Sequence, residues 1–429
     1  MTDRWLPPDP AFPGELPPMD PHGGTRPGDL LPVGGGDGSG PRVHQEHSRH
    51  RPRLVDLSSN VLPFPPDPQV LSAVRAAPLE HYPDPDAVEA RRALAHHWDI
   101  HEGRILLAPG ASELIHRIAL AYLAPGDSVL IVGSTFGEYR RASLLRGAGV
   151  MEVGRGHPHL PSVEEVVDYL RKGQSTDTSI RLVFLCTPNN PTGDAWSETE
   201  VETLAASLPS RALLVLDESY RSISSGGLVP PHAPENPRIL HLRSLTKDLC
   251  LPGLRVAVAI GPPPVLQLLH RIAPPWLVST PAQAAVVAAV RPAVRRRLGD
   301  RVRRTWEARE QMARALRTRG FRVESSVVSY LLWTPWPQGN SGNGRSSRRR
   351  TASETGNTTP PDHPSAAHES ITRPHLATQW VQELESRDVR VRDASSFGLP
   401  GWLRVGVGTP PENERFLEVL DRIASEGGW

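Results

Sequence analysis

The sequence predicts an α/β fold, a mostly parallel sheet flanked by helices with a smaller α+β domain attached, and three observations predict it. Short apolar runs, SVLIVG, RLVFLC and ALLVLD, alternate with helical-period stretches such as AVEARRALAHHW and ETEVETLAASL. Strands that are apolar on both faces and alternate with helices build parallel sheets. After Pro275 the texture changes to long charged helices, including AVRRRLGDRVRRTWEAREQMARALRTRG, and then to the strands VVSYLLW and WLRVGVG. The length, 429 residues, gives room for one or two domains.

Taken in order, residues 1–52 are rich in Pro, Gly, Asp and Arg without hydrophobic periodicity. Such a segment buries too little apolar surface to offset its ordering entropy, which predicts a disordered tail. Residues 53–80 are expected to start the smaller domain, 81–275 to form the large α/β domain, and 276–429 to complete the smaller one. Within the last, the Ser/Gly/Arg/Pro-rich stretch 337–374 reads as a disordered insertion. The run ILLAPGASELIHRIALAYL reads as a strand end, a glycine turn and a helix, and VRVRD as one strand.

A net charge of +1 gives no reason to expect nucleic acid or membrane attraction. The longest apolar stretch, Ala282 to Val290, is too short to span a bilayer. Two cysteines, Cys186 and Cys250, make no disulfide framework, and no secretory signal is visible at the N-terminus. A cytoplasmic protein is expected.

In parallel sheets the ligand crevice lies beyond the carboxyl ends of the strands, and the chemistry-bearing residues fall there. Between RILHLR and RVAVAI stands SLTKDLCLPGLR, read as an exposed loop at the sheet end. Its Lys247 amine can condense with an aldehyde, while Ser244, Thr246 and Arg255 can bind phosphate oxygens. The strand ALLVL ends in Asp217, a carboxylate able to pair with a protonated ring nitrogen, and Tyr220 follows within reach of a ring oxygen. RLVFLC runs into TPNNPTG, whose prolines and glycine hold Asn190 rigid as a donor to a phenolate. Ala111 and Ser112 open a helix directly after a strand, so their N–H groups can bind phosphate, although Ser112 equally suits a plain N-cap. Phe136, after SVLIVG, can stack on a flat heterocycle, with Tyr139 as the fallback and core packing open for both. An aldehyde trap, a ring-nitrogen carboxylate, an oxygen donor, a stacking ring and a phosphate cup together describe pyridoxal 5′-phosphate.

On CTPNNPTG, DESY and SLTK followed by PGLR, in that order, the sequence resembles the fold-type I, class I/II pyridoxal-phosphate aminotransferases over roughly residues 54–336 and 376–429. Within them it resembles histidinol-phosphate aminotransferase and threonine-phosphate decarboxylase of the cobalamin pathway. The resemblance implies a PLP-dependent transferase fold with Lys247 bonded to the cofactor. It implies Asp217 at the pyridine nitrogen, Asn190 and Tyr220 at the ring oxygen, and Phe136 stacked. Ala111, Ser112, Ser244, Thr246 and Arg255 would hold the phosphate. Tyr82, in HYPDPD, would reach the phosphate of a neighbouring subunit, which implies a homodimer. Arg404, in WLRVGVGT, and Arg392, in VRVRD, would bind the substrate's anionic ends.

Lys247, Asp217 and Tyr220 are thus the expected catalytic residues of an aminotransferase that passes an amino group from a small, phosphate-bearing amine to a 2-oxo acid. The alternative is decarboxylation of threonine phosphate, since the placement of the substrate anions decides which bond at Cα breaks. A regulator built on the same fold would need a DNA-binding helix-turn-helix upstream, and residues 1–52 carry no helical pattern.

Overall fold

The apolar runs lie side by side in one sheet because each carries hydrophobic side chains on both faces. The computed structural model describes residues 54–173, 180–224, 228, 230–231, 236–337 and 374–426. The expected tail over 1–52 and nearly all of the expected insertion over 337–374 lie outside the described residues. In chain order the strands are β1 (Val55–Asp56), β2 (Ile105–Ala108), β3 (Ser128–Val132), β4 (Gly149–Val153), β5 (Ile180–Cys186), β6 (Leu213–Asp217) and β7 (Ile239–Ser244). They continue with β8 (Ala257–Ile260), β9 (Phe321–Val323), β10 (Tyr330–Pro337), β11 (Val389–Arg390), β12 (Arg392–Asp393) and β13 (Leu403–Gly406).

Seven strands form the central sheet in the order β2-β8-β7-β6-β5-β3-β4. Neighbours from β4 through β7 are parallel, whereas β8 runs antiparallel to both β7 and β2. In β5 the side chains alternate between two cores. Leu182 and Phe184 pack with the Ala111–Tyr122 and Pro263–Arg271 helices, while Val183 and Leu185 pack with Val163–Gly173 and Glu198–Ser207. The helices form where expected: Ser197 caps Glu198–Ser207 through a reciprocal bond pair with Glu200.

The inverted β8 fixes the position of the lysine loop. Ser244 pairs with Ala257, so residues 245–256 turn the chain back at the carboxyl edge of β7 with no crossover helix. Read as exposed from the sequence, this loop is largely buried: Ser244, Thr246, Leu249 and Cys250 are all under 9 % accessible. Its apolar Leu245, Leu249 and Cys250 pack into the same core as Val256 and the Thr280–Ala289 helix.

A second sheet, β12-β13-β10-β9, is antiparallel and packs under the long Pro292–Thr318 helix and the Pro410–Ser425 helix. The N-terminal β1 pairs in parallel with β11, and Leu57 joins that second core. VRVRD is therefore not one strand. Val391 turns into the core between β11 and β12, which belong to different sheets.

Candidate active site

The strand ends converge on a cavity of about 690 Å³. Lys247, Asp217, Tyr220, Asn190, Phe136, Ala111, Ser112, Ser244, Thr246, Arg255, Arg392 and Arg404 all line it. Tyr82 does not: it is 79 % exposed and stacks on Trp276 at 4.7 Å between ring centroids.

Gly110 separates β2 from the Ala111–Tyr122 helix with φ +104°, a conformation open to glycine. A Cβ there would come within 2.7 Å of Arg255 Nη2, so the turn and the guanidinium share one cradle. The free N–H groups of the helix's first turn, Ser112 and the Arg255 guanidinium close around it, with Ser244 and Thr246 lining the same cavity. Their hydroxyls lie 2.8 Å apart. Such a set suits a phosphate dianion. Ser112 is the second helical residue, and Gly110 occupies the cap position.

Lys247 Nζ lies 3.4 Å from Ser244 Oγ and 5.9 Å from the Tyr220 ring. Loss of water lowers the pKa of its amine; Asp217 opposes this, and the Arg255 charge adds to it. Asp217, at the end of β6, accepts hydrogen bonds from Ser219 N at 2.9 Å and from Tyr139 OH at 2.7 Å. Tyr139, which lines the same cavity, is thus more than core filling. It is fully buried, stacked on Phe184, and fixes the carboxylate. Phe136 stands edge-on to it at 5.8 Å, at the cavity wall.

Next along the chain, Glu218 anchors the turn beneath. Burial alone would raise its carboxyl, but Arg243, His241 and Arg221 outweigh burial and hold it at about 2. The contacts are 3.1 Å to Arg243 and 3.0 Å to His241.

Asn190 follows β5 in a turn whose Asn189 side chain donates to Ser134 O and Thr192 Oγ1, both at 2.9 Å. Arg404 Nη1 and Asn60 Nδ2 both donate to Asn190 Oδ1, which leaves the amide's N–H donors as its contribution to the cavity. Asn60 also donates to Tyr220 OH at 3.2 Å. Burial pushes the Tyr220 phenol up to about 12, against the Arg404 charge and the Asn60 hydrogen bond, so it remains a donor near neutral pH.

Asp56, Ser58, Ser59 and Asn60, at and just after the end of β1, line the cavity without having been expected from the sequence. LSSN lies far from the other motifs, and what signals its role is the β1–β11 pairing, visible in three dimensions alone. Phe397 was missed because its ring is brought to the cavity by the Ser395–Phe397 turn, which no periodicity marks. Arg404 Nη2 donates to Ser58 O at 2.6 Å, and Arg392 Nη2 to Ser396 Oγ at 2.8 Å.

The residues present fit pyridoxal phosphate: a glycine cradle beside a guanidinium, an amine of lowered pKa, and a fixed carboxylate share one cavity. Among the described residues no cluster of three or more His, Cys, Asp or Glu side chains could hold a metal ion, and no helix is long and apolar enough to cross a membrane.

Residues 52–420 match the family Aminotransferase class I and II. The chain is similar to the histidinol-phosphate aminotransferase of Akkermansia muciniphila, 30% identical over 378 residues, which cover 86% of this chain and 90% of that protein. It is 34% identical over 284 residues to the aromatic amino acid aminotransferase of Thermobifida fusca, covering 65% and 77%. In fold it is similar to the histidinol-phosphate aminotransferase of Sinorhizobium meliloti in complex with pyridoxal-5'-phosphate, with a TM-score of 0.69 at 20% identity, covering 85% of this chain and 90% of that one. The aspartate aminotransferase of Thermus thermophilus with maleate gives 0.68 at 19% identity, covering 87% and 91%.

Proposed function

Because the chain belongs to the class I and II aminotransferases and is a pyridoxal-phosphate-dependent transaminase, we propose that its donor is a small phosphate-bearing amine of the histidinol-phosphate type and its acceptor a 2-oxo acid. The observation that carries this reading is the direct cross-strand pairing of Arg392 with Arg404 at one end of the cavity. Two guanidinium groups leaving one face of a sheet can share an anion, and a phosphate offers them more charge and more acceptors than a carboxylate does. Relatives named as aminotransferases favour transamination over the decarboxylation weighed from the sequence.

When bound, pyridoxal phosphate supplies an aldehyde that condenses with amines and a ring that accepts the electrons of a broken Cα bond. The residues assigned to it are those of the cradle: Ala111, Ser112, Ser244, Thr246 and Arg255 for the phosphate, Asn190 and Tyr220 for the ring oxygen, Asp217 for the ring nitrogen, and Phe136 for the ring face. Lys247, with its lowered pKa, is the base whose Nζ takes and returns the Cα proton. Tyr139 and Ser219 keep Asp217 in one orientation while this occurs. Arg404 and Arg392 orient the substrate by its anion and so select the proton as the group that leaves.

We further propose a cytoplasmic homodimer in which Tyr82 completes the neighbour's phosphate site. Residues 81–275 would form the cofactor-holding unit, and 53–80 with 276–429 the smaller one. The exposure of Tyr82 outside its own cavity supports the dimer, and two buried free cysteines suit a reducing compartment.

Purified holoenzyme supplied with histidinol phosphate and 2-oxoglutarate is expected to form glutamate, with little turnover of phenylalanine. Release of CO2 from O-phosphothreonine without glutamate formation, or a preference for phenylalanine, would overturn the donor assignment.

A further inference from the structure

We infer that Phe397 is a positioning residue that allows two like-charged arginines to share one anion site, and thereby sets its preference for a phosphate-type group. This rests on the phosphate-bearing donor proposed above. Arg392 and Arg404 are register partners on antiparallel strands, so both side chains leave the same face of the sheet. Directly opposed like charges are destabilising, and something in the protein must offset this before a ligand arrives.

One offset is an aromatic ring that both cations share. The Arg392 guanidinium lies 5.3 Å from the Phe397 centroid and the Arg404 guanidinium 5.7 Å from it. Both distances fall within cation–π range, where the negative face of the ring attracts each cation. The ring itself is fixed. Phe397 is 3 % exposed and closes the short Ser395–Phe397 helical turn, and it packs in a small separate core with Leu332, Ala394 and Leu399. Its neighbour Ser396 accepts a hydrogen bond from Arg392, so the turn sets both the position and the direction of that guanidinium.

Arg404 has a second aromatic partner, Tyr330 at 5.6 Å, and donates to Ser58 and Asn190. Arg392 reaches the cavity over Phe397 and Ser396. Removing the ring therefore takes away an attraction that both cations share. The resulting defect is in recognition of a doubly charged group, not in the chemistry at Lys247. A leucine would fill most of the same space without the ring's quadrupole, which separates this role from plain core packing.

The test titrates inorganic phosphate into the holoenzyme by calorimetry, for the native chain, Phe397→Leu and Phe397→Tyr, with cofactor absorbance and unfolding midpoint followed alongside. Phosphate binding to Phe397→Leu is expected to fall roughly tenfold, with the cofactor retained, while Phe397→Tyr stays within about twofold of the native chain because its ring is kept. Should the leucine variant lose its cofactor, Phe397→Met, another ringless side chain, carries the same expectation. Unchanged affinity in the leucine variant, or an equal loss in the tyrosine variant, overturns the inference and leaves the phosphate-donor reading standing. A native holoenzyme that binds no phosphate overturns that reading, and the inference with it.

Discussion

Asp248 follows Lys247 directly, yet it is 2 % exposed and forms no part of the cavity wall. Burial pushes its carboxyl up to about 7, against the Arg243 charge. A carboxyl raised above its ordinary value of 3.8 adds most to stability while protonated. That contribution is complete below about pH 4 and is lost as pH rises through about 7. Asp248→Asn mimics the protonated form at every pH. Its thermal unfolding midpoint should match that of the native chain near pH 4 and exceed it by several degrees near pH 8.5. A lower midpoint at the alkaline end would sink this assignment. The lysine itself was legible in the sequence because SLTK and PGLR place their functional groups close together along the chain. Tyr139 was only half legible: its place just after SVLIVG put it near Phe136, but its bond to Asp217 links residues that are distant in sequence and meet through the order of β3, β5 and β6.

Strand, turn and helix make the phosphate cup as one element, and its weak point is Gly110. An alanine there would need φ +104° and would also meet Arg255 Nη2 at 2.7 Å. Backbone strain of this kind costs about 1–3 kcal/mol, and here it would also push the guanidinium out of the cradle. Gly110→Ala should therefore fold with a lowered unfolding midpoint and release its cofactor faster, as read from the decay of the visible absorbance after dilution. Retention equal to the native chain would show that Arg255 yields without cost. At this scale the sequence was informative wherever an element has one dominant pattern, as in the continuously apolar SVLIVG or the periodic Pro292–Thr318 helix. It misled in VRVRD, where Val391 satisfies a core while its flanking arginines serve two different sheets. It also misjudged the lysine loop, whose turn composition hides a buried apolar interior of Leu245, Leu249 and Cys250.

For the molecule as a whole, Tyr82 is the residue on which the proposed homodimer can be tested. It lies outside its own cavity, exposed beside Trp276, itself 48 % exposed. Tyr82→Ala and Lys247→Ala subunits made together should form some hybrids with one intact site. Such mixtures should regain up to about a quarter of native activity by random pairing of two kinds of subunit. Recovery no greater than the sum of the separate variants would count against a shared site. Most of the cavity was foreseeable because its motifs all fall at strand ends. The contribution of Asn60 and Ser58 was not, since it depends on the chain's first strand lying against its last sheet. Arg404 is the place where this closure is tightest, for its guanidinium touches the opening segment at Ser58 and the proline turn at Asn190 while rooted in β13. It behaves as a crossbeam. On the proposed role of Arg404 as an anion ligand, an incoming anion that draws on this guanidinium would weaken its hold on the Asn190 amide, so filling one end of the chamber would be felt at the other through one side chain, with no hinge required.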